Sequence, residues 1–473
     1  VNENLAALIP ELALLGAAVI GLLAGSWLPR RRQWIVAVLA VAACTAGLVA
    51  TSITMATDRE QTVFSNAFAV DTATNAGRLT VLGALLLVIT MSVETVRGHK
   101  RETEYWVLLL LTGAGTLALL GANDLLMLFA AYLLASIPAY ALAAFAKDNS
   151  GTEAALKYYL MGALLGTTML AGTALFYGAG HSTLYRELRP ALPEAPYGLV
   201  AVALVAVLAG LLFKAGAVPA HFWVPDVTDG APAPVAAYVT TLPKIGALIA
   251  GYRLLHQALP DSDVNWPLLL AVLAAVTMTL GNLAAFFQTS VKRLLAYSTI
   301  SQVGYLLMAL AVATRTDLAQ QSLLFYLAAY AATNLGAFAV VTALPAARHL
   351  EDYRGLAHRR PGLAAVLVVC LLGLVGTPPT GVFLGKLEIF SAAVDGGYTW
   401  LAALAVANTV ASLFYYLRWL APLFTTTGSA PLATQAVLGR WTAATAYTAG
   451  ILALGLGIAG GAVLPFGYGD LLP

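Results

Sequence analysis

The run LVAVALVAVLAGLLFKAGAVPAHFWV, residues 199–224, decides the fold. It is apolar for longer than the roughly 20 residues a helix needs to cross about 30 Å of hydrocarbon. Yet it holds Lys214 well inside, followed by Gly216 and Pro219. Outward from it, comparable runs follow one another at 5–27, 34–56, 77–97, 105–121, 125–146, 156–177, 233–255, 267–288, 294–313, 322–344, 362–391, 399–421 and 441–466. The chain therefore reads as an all-α integral membrane protein of about 14 transmembrane helices. Continuous apolar runs argue against the short alternating strands of a closed barrel, the other backbone solution in lipid.

Composition agrees. Hydrophobic residues make up 60% and charged residues 10% of the chain, where a soluble domain carries about a quarter charged. Mean hydropathy is +0.81. The run at 5–27 is followed by Arg30, Arg31 and Arg32 and reads as a first span, not a cleaved signal. The longest polar stretches, 58–74 and 180–196, are too short for an independent core, so residues 1–473 read as one membrane body. Within it we expect three N-terminal helices over 1–100, five-helix repeats at 105–255 and 267–421, and a last helix at 441–466. Each repeat places a Pro-punctuated, lysine-bearing span toward its end, and an odd number of spans per repeat makes the two copies inverted.

Loops after the odd-numbered spans hold about fifteen Lys and Arg, among them Arg97, Lys100, Arg101, Lys292, Arg293, Arg348, Arg354, Arg359 and Arg360. Loops after the even-numbered spans hold about four: Arg59, Arg186, Arg189 and Arg315. Cytoplasmic loops carry the excess of basic residues, which places both termini outside the cytoplasm.

Three lysines lie at membrane depth. Lys214 costs about 2.5 kcal/mol or more to insert, which implies a buried polar path. The plainer alternative is a structural lysine donating to carbonyls loosened by Pro219. Loss of water disfavours the charged ammonium, so such a lysine can exchange protons. Lys244, in Thr241-Leu242-Pro243-Lys244, falls near the middle of the next span, so adjacent antiparallel helices each carry one. Lys386 follows Gly376-Thr377-Pro378-Pro379-Thr380-Gly381, which cannot be continuous helix. Interrupted spans in corresponding positions of two halves point to an ion pathway.

His221 can bridge Lys214 and Lys244, or serve only in packing. Arg78, Arg253 and Arg418 fall near span ends and read as side chains reaching for headgroups. His256 reads as interfacial. Glu11 and Asp124 lie near span starts, where a carboxylate favours the positive end of the helix dipole. Cys44 and Cys370 read as packing residues without metal-ligand spacing. Gly455-Leu456-Gly457-Ile458-Ala459-Gly460 matches a dinucleotide glycine pattern but sits in an apolar span with no preceding strand, so it reads as small-residue helix packing. Nothing in the sequence suggests an iron–sulfur site, a P-loop or a nucleic-acid-binding face.

The stretch from His221 to Val235, with Val224-Pro225-Asp226 and Gly230-Ala231-Pro232, followed by Pro243-Lys244, resembles the antiporter-like membrane-subunit family of bacterial NADH-quinone oxidoreductase (complex I) in its subunit N branch. So do Leu156-Lys157-Tyr158-Tyr159-Leu160, Lys292-Arg293-Leu294-Leu295-Ala296-Tyr297-Ser298, Ser301-Gln302-Val303-Gly304-Tyr305 and Asn334-Leu335-Gly336-Ala337-Phe338. The resemblance covers nearly the whole chain. It implies a central proton axis through Lys214, Lys244 and Lys386, with NADH, FMN, iron–sulfur clusters and quinone in partner subunits and none in this chain. It also implies other membrane-arm and peripheral subunits as partners, the bacterial plasma membrane as location, and no nucleic acid.

One position departs from that family. Where it carries a glutamate in the fifth span, paired with the lysine of the seventh, this chain has Leu133 in Ala131-Tyr132-Leu133-Leu134-Ala135-Ser136, which leaves Lys214 without that partner. Asp124 lies nine helical residues away, about 13 Å, too far to replace it. Two other readings stay open: a subunit of a multisubunit cation/proton antiporter or membrane-bound hydrogenase, and a structural paralogue that does not pump.

Overall fold

A computed structural model describes residues 4–57, 59–425 and 439–472; Asp58, where the first polar stretch begins, lies outside the described residues. The helices are α1 (Ile9–Trp27), α2 (Trp34–Ala56), α3 (Thr72–Val96), α4 (Glu102–Leu120), α5 (Leu125–Ala143), α6 (Asn149–Gly180), α7 (Tyr185–Ala191), α8 (Tyr197–Ala215), α9 (Trp223–Gly230), α10 (Ala233–Ala258), α11 (Trp266–Ala285), α12 (Val291–Ala311), α13 (Leu318–Ala343), α14 (Leu356–Arg359), α15 (Pro361–Val375), α16 (Gly381–Asp395), α17 (Thr399–Leu423), α18 (Arg440–Ile458) and α19 (Gly460–Val463). Among the described residues, 13 are long and apolar enough to cross a membrane. The shorter halves α15 and α16 together occupy the place of one further span.

Several boundaries move for local reasons. α3 begins at Thr72 because the Asp71 side chain accepts from the Thr74 amide and caps it. α6 begins at Asn149, where Asp148 accepts from the Gly151 amide. The connection before α3 holds a feature absent from the sequence reading, a short antiparallel hairpin of β1 (Gln61–Val63) and β2 (Phe68–Val70), with Thr62 opposite Ala69.

The centre is formed by α10, α12 and α13, whose side chains are almost entirely enclosed, while α2 and α6 turn apolar faces outward. Lipid offers no hydrophobic drive between helices, so close approach matters more. A Cβ on Gly457 would lie 1.9 Å from the Pro379 carbonyl oxygen. The expected small-residue packing of that glycine run is therefore specific: α18 presses its backbone onto the gap between α15 and α16.

The reading of Arg78 and Arg253 as headgroup-seeking side chains is corrected. Both are fully buried. Arg78 binds Glu11 in two-pronged fashion, Nε to Oε1 and Nη2 to Oε2 at 2.8 Å each, and reaches Asn75 Oδ1 at 3.2 Å and the Ala7 carbonyl at 3.1 Å. Arg253 Nη2 donates to Asp71 Oδ1 at 2.7 Å and to Thr74 Oγ1 at 3.0 Å. Both arginines fall near span ends in sequence, but tertiary neighbours supply the carboxylates that sequence spacing hides, Glu11 from α1 and Asp71 from the cap of α3. Arg418 donates to the Phe286 and Gln288 carbonyls just past α11. Asp124 caps α5, accepting from Leu126 N at 2.7 Å and Met127 N at 2.9 Å. Cys44 and Cys370 are buried and unpaired.

Candidate proton path

The run quoted at the outset is not one helix. α8 stops at Ala215 because Gly216 takes a left-handed conformation, φ +79°, which glycine alone adopts at little cost. The Gly216 and Ala217 amides fold back onto the Leu212 carbonyl. α15 ends the same way: Gly376 has φ +92°, and the Gly376 and Thr377 amides return to Leu372. Each gap contains a cis proline peptide, Val218-Pro219 and Pro378-Pro379.

Such an ending leaves carbonyls at the negative end of the helix dipole without helical partners. Lys244 Nζ donates to the Ala215 carbonyl. Lys386 Nζ donates to the Val375 carbonyl at 2.8 Å and lies 3.4 Å from that of Leu374. In both gaps the lysine therefore sits on the residue immediately before the left-handed glycine. Trp223 completes the first gap, its Nε1 donating to the Phe213 carbonyl at 3.0 Å while its ring stacks on Tyr158. Thr277 Oγ1 accepts from the Val218 amide at 3.2 Å.

Lys214, on the last turn of α8, turns away from the gap. Its Nζ donates to the Ala135 carbonyl at 2.7 Å and to Ser136 Oγ at 2.8 Å. The alternative reading of Lys214, as a donor to carbonyls loosened beside Pro219, does not describe it: Lys244, not Lys214, takes the carbonyl at that gap. No carboxylate pairs with Lys214 among the described residues, as the leucine at 133 leads one to expect; α5 supplies neutral acceptors in its place. Leu133 itself points outward, 37% exposed, whereas Ala135 and Ser136 turn inward. Ser136 was legible only as part of a motif, since its role depends on α5 and α8 meeting.

All three lysines are essentially enclosed, and each lies near an aromatic face, Lys386 only 4.2 Å from the centre of the Tyr305 ring. Such contact stabilises an ammonium most where water is excluded. His221 is buried, its ring against Phe222 and its Nδ1 without a partner among the described residues. The hydrogen bonds of Lys214 and Lys244 run to other groups.

Three of the charged motif segments converge at the ends of α6, α9 and α12. Asp226 receives Lys157 Nζ at 2.8 Å and Arg293 Nη1 at 3.0 Å. Lys292 donates to the Asp229 carbonyl at the end of α9 and to the Ala231 carbonyl just beyond it. Partial burial alone would raise the Asp226 carboxyl, but the hydrogen bonds and charges of Lys157 and Arg293 hold it below its ordinary value. His256, stacked on Tyr252, lines a polar cavity of about 590 Å³ with Arg315, Asp317, Asp395 and Asp470. Among the described residues no group of three or more His, Cys, Asp or Glu is arranged to hold a metal ion.

Comparison with known proteins was made against this geometry. Residues 122–412 match the family described as NADH:quinone oxidoreductase/Mrp antiporter, TM. The chain is 57% identical to NADH-quinone oxidoreductase subunit N 1 of Streptomyces griseus, with 98% of each covered. It is 49% identical to NADH-quinone oxidoreductase subunit N of a Mycobacterium species, with 96% of each covered. It superposes with TM-score 0.83 on a chain of respiratory complex I from Thermus thermophilus, 33% identical, covering 96% of this chain and 98% of that one. A chain of the Mrp complex from Dietzia superposes with TM-score 0.86 at 23% identity, covering 98% and 96% respectively. At that identity the likeness speaks for the fold.

Proposed function

Because the chain belongs to the subunit N family of NADH-quinone oxidoreductases, we propose that it moves protons through Lys214, Lys244, Lys386 and His221 while partner subunits transfer electrons from NADH to quinone. It is a multi-span membrane-arm subunit of that translocase. Its partners are the other membrane-arm subunits and the peripheral subunits, and NADH, FMN, iron–sulfur clusters and quinone are bound by partners and not by this chain. The observation that carries the proton axis is that Lys244 and Lys386 each donate to the last carbonyl before a left-handed glycine, deep between helices and away from any carboxylate partner among the described residues. A half-helix end of this kind is how broken spans hold a mobile cation or proton. The buried His221 Nδ1, without a side-chain partner among the described residues, supports a role as a proton acceptor beside the first gap.

The matched gaps support the division into inverted repeats at 105–255 and 267–421. The excess of basic residues in alternate loops supports a plasma-membrane orientation with both termini outside the cytoplasm.

The test is made on the assembled enzyme in proteoliposomes, reading protons moved per NADH oxidised. Lys244→Arg keeps a donor for Ala215, but arginine does not release its proton. The ratio is expected to fall with assembly retained. An unchanged ratio would support the second reading, a subunit that holds its place without pumping, which Leu133 favours. Mass spectrometry of chains that co-purify with a tagged copy tests the partners: peripheral iron–sulfur and flavin subunits are expected, and small antiporter subunits alone would overturn the assignment.

A further inference from the structure

Where α2 and α18 finish and α3 and α13 begin, the bundle holds a cavity of about 270 Å³. Its walls are hydrocarbon: Met55 near the end of α2, Leu79 on α3, Leu324 and Phe325 on α13, and Val463 and Leu464 beyond α18. No charged side chain among the described residues lines it. Phe466 also lines it and is 62% exposed, so the cavity reaches the surface of the chain.

Two polar side chains face this space, Thr80 and Gln321. Thr80 Oγ1 donates to the Ala76 carbonyl of its own helix at 2.9 Å. Gln321 is only 6% exposed, and its amide makes no hydrogen bond among the described residues. The neighbouring Gln320 is fully employed: its Nε2 donates to the Gly467 and Gly469 carbonyls at 3.3 and 2.8 Å. Those bonds, with the Leu472 amide on Asp71 Oδ2 at 3.1 Å, fasten the C-terminal wall of the cavity. Gly467 meets the Gln321 backbone, a Cβ there lying 3.1 Å from Gln321 Cα, and brings no side chain to pair with the amide. A buried amide left unpaired is costly, so its partner comes from outside the chain.

Water does not suit the place, because a buried water needs two to four polar partners and this cavity offers one. A bulky ring-bearing ligand does not suit it either, the volume being below the roughly 300–1,000 Å³ of small-molecule sites. Depth identifies the partner. α13 has 26 residues, about 39 Å of helix against roughly 30 Å of hydrocarbon. Shared between the two ends the surplus is about 4–5 Å, and Gln321 lies three residues, about 4.5 Å, into the helix. Its amide therefore stands at the hydrocarbon boundary, the level of phospholipid ester carbonyls, while Leu324, Phe325 and Ala328 continue the cavity toward the bilayer centre.

We propose that this cavity takes one acyl chain of a diacyl phospholipid, with Gln321 Nε2 donating to the ester carbonyl. The chain then packs between α3, α13 and the fastened C-terminal wall, and the headgroup stays outside.

The test uses the assembled enzyme in proteoliposomes with a trace of diacyl phosphatidylcholine carrying a diazirine on one acyl chain, and maps photolabelled residues by mass spectrometry. Labelling of Leu324 and Phe325 is read relative to Val49 and Ile53, which lie on the outward face of α2. That ratio is expected to be about threefold to tenfold higher in ether-linked phosphatidylcholine, which has no ester carbonyl, than in diacyl phosphatidylcholine, the worth of one neutral hydrogen bond. Gln321→Leu, which keeps the bulk and removes the amide, is expected to abolish the difference between the two lipids. Ala328→Phe, which fills the cavity, is expected to bring labelling of Leu324 and Phe325 down to that of the α2 face. Equal labelling of cavity and α2 face in both lipids would overturn the proposal, as would labelling displaced by added quinone and not by phospholipid. Should Gln321→Leu not assemble, Ala328→Phe decides, and persistent labelling overturns the site. None of these readouts depends on proton movement.

Discussion

Lys244 holds the end of a helix that is not its own: its ammonium donates to the Ala215 carbonyl, next in sequence to Lys214. The two lysines of the first half are therefore linked through one residue, Ala215, with Lys214 bound to α5 and Lys244 to the terminus of α8. Lys386 repeats the arrangement at Val375.

Lys386→Met removes both the donor to Val375 and the group proposed to exchange protons. Proton translocation is expected to fall by roughly a hundredfold where this path limits, the lower range for loss of a positioned proton-transfer group. Lys386→Arg is expected to restore thermal stability in detergent but not translocation. Recovery of both by arginine would mean the lysine serves only as a cap.

Ser136→Ala strips one of the two acceptors that Lys214 has on α5. Leaving a buried charged donor short costs about 1–3 kcal/mol. Thermal unfolding in detergent should show the loss, whereas Leu133→Ala, on the outward face, should leave the midpoint nearly unchanged.

Arg78→Met alone should destabilise by about 3–5 kcal/mol, because Glu11 is left buried without its partner. Arg78→Met with Glu11→Leu should recover much of that. A double variant as unstable as the single would show that the ion pair is not what fails.

How far the sequence foretold this divides cleanly by range. Apolar runs and the Gly/Pro breaks are local signals, so the spans and the position of Lys386 beside a gap were legible. Lys244 on Ala215, Arg78 on Glu11 and Arg253 on Asp71 join helices far apart in the chain, and no spacing rule encodes them. Leu133 drew attention away from Ser136, three residues on, because a missing carboxylate is conspicuous in a motif and a neutral acceptor is not. The hairpin at β1 and β2 was missed because each strand is too short to show alternation.

Gly457→Val places a branched side chain where a Cβ would already meet Pro379. Overpacking of this kind costs about 1–3 kcal/mol, and the strain falls on the gap between α15 and α16. The yield of assembled complex should drop, while Gly455→Val, where nothing lies within 4 Å of an added Cβ, should be tolerated.

Asp226 ties α9 to α6 and α12 from outside the spans. Its carboxyl sits below the ordinary value of 3.8 in the folded protein, so its contribution is complete above that value and is lost as pH falls through the lower, folded one. Acid destabilisation between pH about 4 and lower values should be partly absent in Asp226→Asn, measured as the unfolding midpoint against pH. Identical acid profiles would place the sensitivity elsewhere.

The lysine seats at Ala215 and Val375 have a further property. An ammonium offers three N–H donors; the neutral amine keeps two and gains a lone pair. Either form can grip the same carbonyl, so a proton can arrive or depart while the helix end stays fastened. What changes is the attraction between a full charge and the dipole of the half-helix behind it. Loss of that charge would therefore loosen the hold on α8 or α15 with no contact made or broken.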